Sequence, residues 1–178
     1  MKHGNAIYNL NLPATDERIS DDLKNHHVGL ALLDLLPKDM KDLLGKIRMS
    51  NWTLAEYIIA HAKKTKAVHQ GVGLDFTNGS EGKFAVVEGR IQKCVKNKKE
   101  YFYEKFIARF SNLKNKTGDL HLIVADARVT GTVKLRFFSF PVDVWKSKIS
   151  SNDFSLDLTL NTHKWYMDYE VDQKQFGL

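Results

Sequence analysis

The sequence contains little cysteine, little proline and no long apolar run. Cys94 is the single cysteine among 178 residues, so no disulfide can form within the chain, and we expect a reducing, cytoplasmic setting. The apolar stretch 28–36 includes Asp34 and is far shorter than the ~20 residues that span a bilayer. The first residues lead into no apolar run, so we expect no signal peptide and no membrane partner.

Short motifs that carry several common chemistries are absent as well. There is no glycine-rich loop that would cradle phosphates and no G-x-S-x-G nucleophile motif. The histidines include no pair at positions i and i+4 with a third ligand, so the sequence favours no zinc site. Phosphate-loop enzymes, hydrolases of the G-x-S-x-G type and zinc enzymes are therefore disfavoured.

Positive charge is in excess and is concentrated in one stretch. The formal net charge is +6 and the isoelectric point is near 9.3. Between Lys83 and Lys116 there are ten lysines and arginines against three acids. Because basic side chains gain affinity for phosphates partly by releasing condensed counterions, nucleic acid is the leading class of partner. The alternative is that the excess lysine only keeps a small protein soluble.

The size and composition indicate one globular domain. At 178 residues, with 43% hydrophobic and 27% charged residues, the chain is long enough to bury a core. We expect an N-terminal arm over 1–19, a helical part over 20–66 and a sheet-containing core over 67–178.

Helix signals dominate the first third of the chain. Ser20 is followed by two aspartates and is a good helix start, because its hydroxyl can cap free amides. Pro37 should end this helix and open a second one. A third helix is predicted from about Trp52, with an apolar face, a lysine face and Glu56 at the boundary between them.

The rest of the chain alternates mainly with a period of two, which is typical of strands. The exception is 98–113, where aromatic residues spaced by four predict a helix that covers a sheet. The other predicted elements are strands over 72–77 and 83–92 with a turn over 78–82 between them, strands over 120–125 and 132–140, a helix over 142–148, and strands over 154–160 and 165–169. This order predicts an α/β fold with a mixed central sheet flanked by helices.

Two acids and one basic residue fall together on the first predicted hairpin. Glu88 and Arg90 share one side of their strand because strand side chains alternate. Asp75 lies in the preceding strand, so Asp75 and Glu88 can bring two carboxylates to one place. Carboxylates, waters and phosphate oxygens are the ligands that magnesium prefers. The alternative is that Asp75 and Glu88 are solvated strand residues and that Glu56 is a helix-surface charge.

The segments GVGLDF at 71–76 and VVEGR at 86–90 resemble the signature of the PD-(D/E)xK nuclease superfamily, the fold of many type II restriction endonucleases. The resemblance implies a restriction-endonuclease-like fold in which Asp75 and Glu88 hold Mg²⁺, or Mn²⁺ in its place. It implies that Arg90 helps to orient or activate the attacking water and that Glu56 is a further acid near the metal.

The family's usual lysine is replaced by Arg90, which stays protonated and is a poor base. A second match to the same signature, Glu81–Gly82–Lys83, falls in the predicted turn, where a charge is usually exposed.

The function that the resemblance implies is Mg²⁺-dependent hydrolysis of double-stranded DNA by a restriction-type endonuclease, acting as a homodimer because two strands are cut. The residues expected to contact DNA are basic: Lys93, Lys96, Lys98, Lys99, Lys134 and Arg136. Two alternatives remain open. One is a catalytically inactive nucleic-acid-binding module of the same fold, which the Arg90 departure favours. The other is a small α/β interaction domain whose basic residues only aid solubility.

Overall fold

A computed structural model of the chain describes residues 6–9, 20–47, 49–68, 76–94, 99–105, 107–128, 132–157 and 164–178. Its helices are α1 (Ser20–Leu33), α2 (Lys38–Leu44), α3 (Asn51–Ala62), α4 (Val142–Lys148) and α5 (Gln173–Phe176). The predicted helix starts are confirmed, since α1 begins at Ser20 and Pro37 directly precedes α2. Ser50 Oγ caps α3 by accepting a hydrogen bond from Thr53 N at 3.2 Å. Within these described ranges, no helix combines the length and the apolar character needed to cross a bilayer.

The described strands are β1 (Ala6–Asn9), β2 (Glu81–Val86), β3 (Glu88–Cys94), β4 (Lys99–Lys105), β5 (Ile107–Phe110), β6 (Leu120–Asp126), β7 (Thr132–Phe140), β8 (Phe154–Asp157) and β9 (Glu170–Val171). The central sheet contains β1, β7, β6 and β2 side by side in that order, and β9 pairs with a further part of β7. β2 runs parallel to β6, whereas the other pairs of this sheet are antiparallel. The expected α/β fold with a mixed sheet flanked by helices is therefore confirmed.

The central sheet has two buried faces. α1 and α3 cover the face that carries Phe84 of β2 and Ile123 of β6, which we call the α3 face. β5, α4 and the 3₁₀ turn Trp165–Tyr169 cover the face that carries Ala85 and Leu122, which we call the β5 face. Because strand side chains alternate, the even residues of β2 belong to the α3 face and the odd residues to the β5 face.

The helix predicted over 98–113 is wrong, because this stretch forms β4 and β5. A spacing of four is a multiple of two, so aromatic residues at that spacing fit one side of an extended chain as well as one side of a helix. Tyrosine and phenylalanine also favour strands. Phe110 of β5 is fully buried, and its ring centroid lies 6.5 Å from that of Phe140.

The single strand predicted over 83–92 is also wrong. Two strands with different partners take its place, since β2 pairs with β6 and β3 pairs with β4. Val87 lies between them, and its N–H still donates to Ala125 O of β6 at 2.8 Å. The chain therefore leaves the central sheet after Val87, and an alternation of side chains counted through 83–92 does not continue across this point.

The turn predicted over 78–82 is too long, because β2 already begins at Glu81. A turn was predicted there because glycine, asparagine, serine and a charged residue follow one another. Of the preceding strand predicted over 72–77, residues 72–75 lie outside the described residues. Phe76 forms an isolated antiparallel bridge with Ala67.

The later elements agree more closely with prediction. β6, β7 and α4 confirm the strands and the helix predicted over 120–148, and β8 forms the first part of the strand predicted from residue 154. The strand predicted over 165–169 is instead a 3₁₀ turn. Trp165 and Tyr169 both pack on Phe140 there, with ring centroids at 5.8 and 6.1 Å, whereas a strand would hold residues four apart about 13 Å from each other. Within the predicted N-terminal arm, residues 6–9 form β1.

Candidate functional site

Glu81 is a buried carboxylate at the first position of β2. The residue is 1% exposed, although glutamate is almost never fully buried unless it is paired. Its N–H donates to Asp119 O at 3.0 Å, which joins the start of β2 to the start of β6. The backbone thus fixes this carboxylate on the β5 face, at one end of the central sheet.

Two lysines compensate the Glu81 carboxylate, and we call these three residues the Glu81 cluster. Lys83 Nζ lies 2.7 Å from Oε1, and Lys116 Nζ lies 3.2 Å from Oε2. The Lys116 side chain is 3% exposed, whereas that of Lys83 is 25% exposed. Burying charge is costly unless partners offset the lost hydration, which is why these groups occur together. Lys83 is the member of the cluster that reaches the surface.

Two tight loops, one at Gly79 and one at Gly118, hold the Glu81 cluster together. The carbonyl of Gly79, a residue with φ of 78°, accepts hydrogen bonds from Thr117 N and Gly118 N at 3.2 and 2.9 Å. A Cβ on Gly118 would lie 2.7 Å from Ser80 N, so only glycine allows this approach. The contact brings the segment that carries Lys116 beside the first residue of β2.

The Glu81 cluster as it stands does not fit a metal ion. Carboxylate oxygens are ligands that Mg²⁺ prefers, but both oxygens of Glu81 face ammonium groups, which repel a divalent cation. In the part of the chain that the structure describes, no group of three histidine, cysteine, aspartate or glutamate side chains could hold a metal.

His121 is a second buried ionisable group at the same end of the sheet, on the α3 face. It is the register partner of Gly82, is 3% exposed, and places Nδ1 3.0 Å from Ser139 Oγ. Burial and the nearby charge of Lys63 lower the pKa of His121 to about 3. The imidazole is therefore neutral at pH 7.

Lys63 is held beside His121 by the end of the chain. Its Nζ donates to Phe176 O at 2.6 Å and lies 4.2 Å from the centroid of the same ring. Burial lowers the pKa of Lys63, and the charge of Asp119 partly opposes this. The two faces thus differ in electrostatics, because the α3 face has a neutral imidazole where the β5 face has a compensated carboxylate.

The residues predicted to form the catalytic site are only partly described. Asp75 lies outside the described residues. Glu88 and Arg90 lie in β3, where their register partners are Lys105 and Tyr103 of β4, and the positions of their side chains are not described. The structure places both residues in a strand that is not part of the central sheet.

Glu56 lies in the middle of α3, on the face of the sheet opposite to Glu81. α3 packs on the even residues of β2, since the ring of Trp52 lies 5.5 Å from that of Phe84 and Ile59 borders Gly82. Glu81 is on the β5 face. The structure does not bring Glu56 into the Glu81 cluster.

The predicted DNA-contacting residues fall in two places. Lys93 lies in β3 and Lys99 in β4, and residues 96 and 98 lie outside the described part of the chain. Arg136 and the partly buried Lys134 lie on β7. Arg136 donates from Nε and Nη2 to the carboxylate of Glu170 at 2.7 Å each, so its guanidinium is already committed to a bidentate ion pair.

A groove of about 760 Å³ lies on the α3 face between α1, α2 and the start of α3. Apolar side chains such as Leu33 and Met49 line it, and Trp52 at its edge is 53% exposed. Phe84 and Val86, both even residues of β2, contribute to its floor. The groove and the Glu81 cluster are therefore separate features on opposite faces of the sheet.

Lys116 is the member of the cluster that sequence reasoning missed. It lies far along the chain from Glu81, and neither a period nor a motif links the two residues. The signal that could have found the cluster was Glu81–Gly82–Lys83, because a strand that begins at Glu81 places Glu81 and Lys83 on one face.

Comparisons with protein-family models, curated proteins and solved structures found no match to this chain.

Proposed function

We propose that this chain is an endonuclease that hydrolyses phosphodiester bonds of double-stranded DNA with Mg²⁺, in the manner of a type II restriction endonuclease. The observation that carries the proposal is the Glu81–Lys83 pair, a carboxylate and an ammonium 2.7 Å apart at one end of a central-sheet strand. A glutamate followed two residues later by lysine is the usual form of the signature that the sequence resembles.

In this proposal Lys83 takes the role that the resemblance implies for Arg90, and Glu81 holds the ammonium group of Lys83 in place rather than binding the metal. Lys83 is the lysine that the signature normally has, so the departure at Arg90 loses its importance. Its side chain is 25% exposed, which gives a phosphate access to the ammonium, whereas Glu81 behind it is 1% exposed. A fixed positive charge at the scissile phosphate stabilises the negative charge that develops during hydrolysis.

Asp75 remains the proposed first acid. Its neighbour Phe76 is fully buried, and a Cβ on Gly82 would lie 2.7 Å from the Phe76 ring, so this ring is on the α3 face. Asp75 itself lies outside the described residues, so its role rests on the resemblance. Since the described residues do not fit Mg²⁺, the metal requirement rests on the resemblance and on Asp75.

Two further parts of the proposal rest on the sequence. A homodimer is proposed because cutting both strands of a duplex requires two active sites. A cytoplasmic setting is proposed because the chain has a single cysteine.

A catalytically inactive nucleic-acid-binding module is the second candidate. The observation that favours it is the charge of the Glu81 cluster, in which two ammonium groups already compensate the carboxylate. A site of this kind attracts phosphate and repels a divalent cation. If Asp75 does not bind a metal, such a cluster supports DNA binding without cleavage.

Incubation of the purified protein with phage and plasmid DNA, with and without Mg²⁺, tests the proposal. We expect discrete fragments only with the metal, and no cleavage by Asp75→Asn. The matched control is Asp39→Asn, the same change at an exposed position of α2, and it should cleave like the wild type.

The other outcomes separate the candidates. Salt-sensitive DNA binding without cleavage would replace the endonuclease with the binding module. If neither binding nor cleavage is detected, both proposals fail and the small interaction domain is left.

A further inference from the structure

β3 and β4 form a two-stranded ribbon that lies in the chain between Lys83 and Lys116 of the Glu81 cluster. Among the described strands each pairs only with the other. The antiparallel register runs from Glu88 opposite Lys105 to Cys94 opposite Lys99, so seven residues of β3 are paired. At ~3.4 Å per residue the ribbon is roughly 24 Å long.

The register divides the ribbon into two faces of different composition. Residues directly opposite in an antiparallel pair share a face, and successive residues alternate. One face, which we call the Arg90 face, includes Arg90, Gln92, Lys99, Tyr101, Tyr103 and Lys105. The other, the Lys93 face, has Lys93 opposite Glu100 and Gly89 opposite Glu104.

The charges of the two faces have opposite sign. The Arg90 face has three basic residues and one acid, Glu88, whereas the Lys93 face has one basic residue and two acids. A polyanion is therefore attracted to the first face and not to the second. Three of the four basic residues in the paired segments thus lie on one side of the ribbon.

The residue types of the Arg90 face match the chemistry of duplex DNA. In the major groove arginine pairs with guanine and glutamine with adenine through two hydrogen bonds each, while lysine and tyrosine contact phosphates. The major groove is about 12 Å wide and admits a two-stranded ribbon. A ribbon of this length spans about seven base pairs at ~3.4 Å per pair.

We propose that the Arg90 face of the β3–β4 ribbon binds in the major groove of the DNA that the chain acts on. Arg90 and Gln92 read base edges, and Lys99 and Lys105 contact phosphates on either side. This inference rests on the proposed action on DNA and deepens it, because it assigns substrate recognition to a surface distinct from the Glu81 cluster. It also excludes Lys93, which the register places on the other face.

A duplex of DNA fits this surface better than a duplex of RNA. The major groove of A-form RNA is deep and narrow, and side chains cannot read it. An RNA duplex of the same sequence is therefore expected to bind at least about tenfold more weakly at equal salt.

Arg90→Gln and Lys93→Gln in the full-length protein form a matched pair that tests the inference. Each substitution removes one positive charge from β3, but on opposite faces of the ribbon. We expect Arg90→Gln to weaken binding of a fluorescent DNA duplex by about tenfold or more, and Lys93→Gln by less than about threefold. Fluorescence anisotropy measured over a series of salt concentrations gives both affinities.

Selection from a pool of randomised duplexes supplies a second readout. The wild type should enrich a motif, and Arg90→Lys, which keeps the charge but loses the bidentate donors, should lose preference at one base pair. Lys99→Gln should weaken binding to all sequences and lower the slope of log K against log salt by about 1.

The outcomes distinguish this inference from the proposed function. Equal losses of DNA affinity in Arg90→Gln and Lys93→Gln, or an RNA duplex that binds as tightly as DNA, contradict the proposal that the Arg90 face binds DNA. Neither result bears on the proposed cleavage. A wild type that binds through the Arg90 face but never cleaves overturns the endonuclease and leaves the ribbon standing.

Discussion

The chain contains two segments of the same form, Glu81–Gly82–Lys83 and Glu88–Gly89–Arg90, and the fold gives them different surroundings. The first begins a central-sheet strand, where its carboxylate is 1% exposed and faces two ammonium groups. The second begins β3, which pairs with β4 outside the central sheet. The same three-residue pattern thus occurs once in a buried electrostatic cluster and once in a two-stranded ribbon.

This difference shows why a short motif does not identify a site by itself. A strand places residues i and i+2 on one face in both segments. In the first segment a third residue, Lys116, is brought to Glu81 by the contact between Gly79 and Gly118. The following substitutions compare the chemistry proposed for the first segment with the DNA recognition proposed for the second.

Glu81→Gln is expected to have the largest effect on stability. The amide keeps the volume of the side chain but leaves Lys116, 3% exposed, as a buried cation beside a neutral group. Removing one partner of a buried ion pair costs about 3–5 kcal/mol in the free energy of unfolding. Urea denaturation of both proteins measures this loss.

The control for Glu81→Gln is Glu88→Gln, the same change in the second segment. We expect its loss to stay below about 1 kcal/mol. Equal losses at the two positions would show that Glu81 has no special electrostatic role.

Gly82→Ala and Gly89→Ala compare the middle residues of the two segments. A Cβ on Gly82 would lie 2.7 Å from Phe76 Cζ and 2.9 Å from Ile59 Cδ1, so alanine overfills the α3 face. The expected loss is about 1–3 kcal/mol. Alanine at position 89, inside a strand, should be neutral or stabilise by about 0.5 kcal/mol. Melting temperatures of both variants measure these changes in stability. A Gly82→Ala protein as stable as wild type contradicts the close packing of Phe76 and Ile59 against Gly82.

The pH dependence of stability tests the burial of His121 on the α3 face, the face of the sheet opposite to the Glu81 cluster. The pKa of His121 in the folded chain is about 3, below its ordinary value of 6.5, so the unfolded chain takes up the proton first. Stability is complete above about pH 6.5 and falls as the pH drops toward 3. Relative to pH 8, His121 should cost about 2 kcal/mol at pH 5.

His121→Asn should remove this part of the pH dependence, and His61→Asn, at an exposed position of α3, should not. The measurement is urea unfolding of the three proteins between pH 5 and pH 8. An unchanged slope in His121→Asn would mean that folding does not lower the pKa of His121.

Local signals in the sequence predicted much of the fold. α1 begins at Ser20 and Pro37 directly precedes α2, as capping preference and the fixed φ of proline predict, and β6 and β7 form in the strand-like runs of the sequence. The stretch over 98–113 was predicted incorrectly because a spacing of four suits a helix and a strand equally. There the strand preference of tyrosine and phenylalanine prevailed.

The candidate site was less predictable, because its decisive contacts are long-range. The sequence around Glu81 does not predict its contact with Lys116. Without that partner, a glutamate beside glycine and serine is best predicted as an exposed turn residue. Asp75, Glu88 and Arg90 remain predictions whose side chains lie outside the described part of the structure.

The most direct test of the account compares cleavage by Lys83→Gln and Arg90→Gln at saturating DNA, where a weakened affinity no longer limits the rate. Lys83→Gln should fold, because Glu81 retains Lys116, and should lose at least about a hundredfold in cleavage rate. Arg90→Gln should cleave within about tenfold of wild type once DNA is saturating. If Arg90→Gln abolishes cleavage while Lys83→Gln preserves it, the assignment of chemistry to the Glu81 cluster is contradicted.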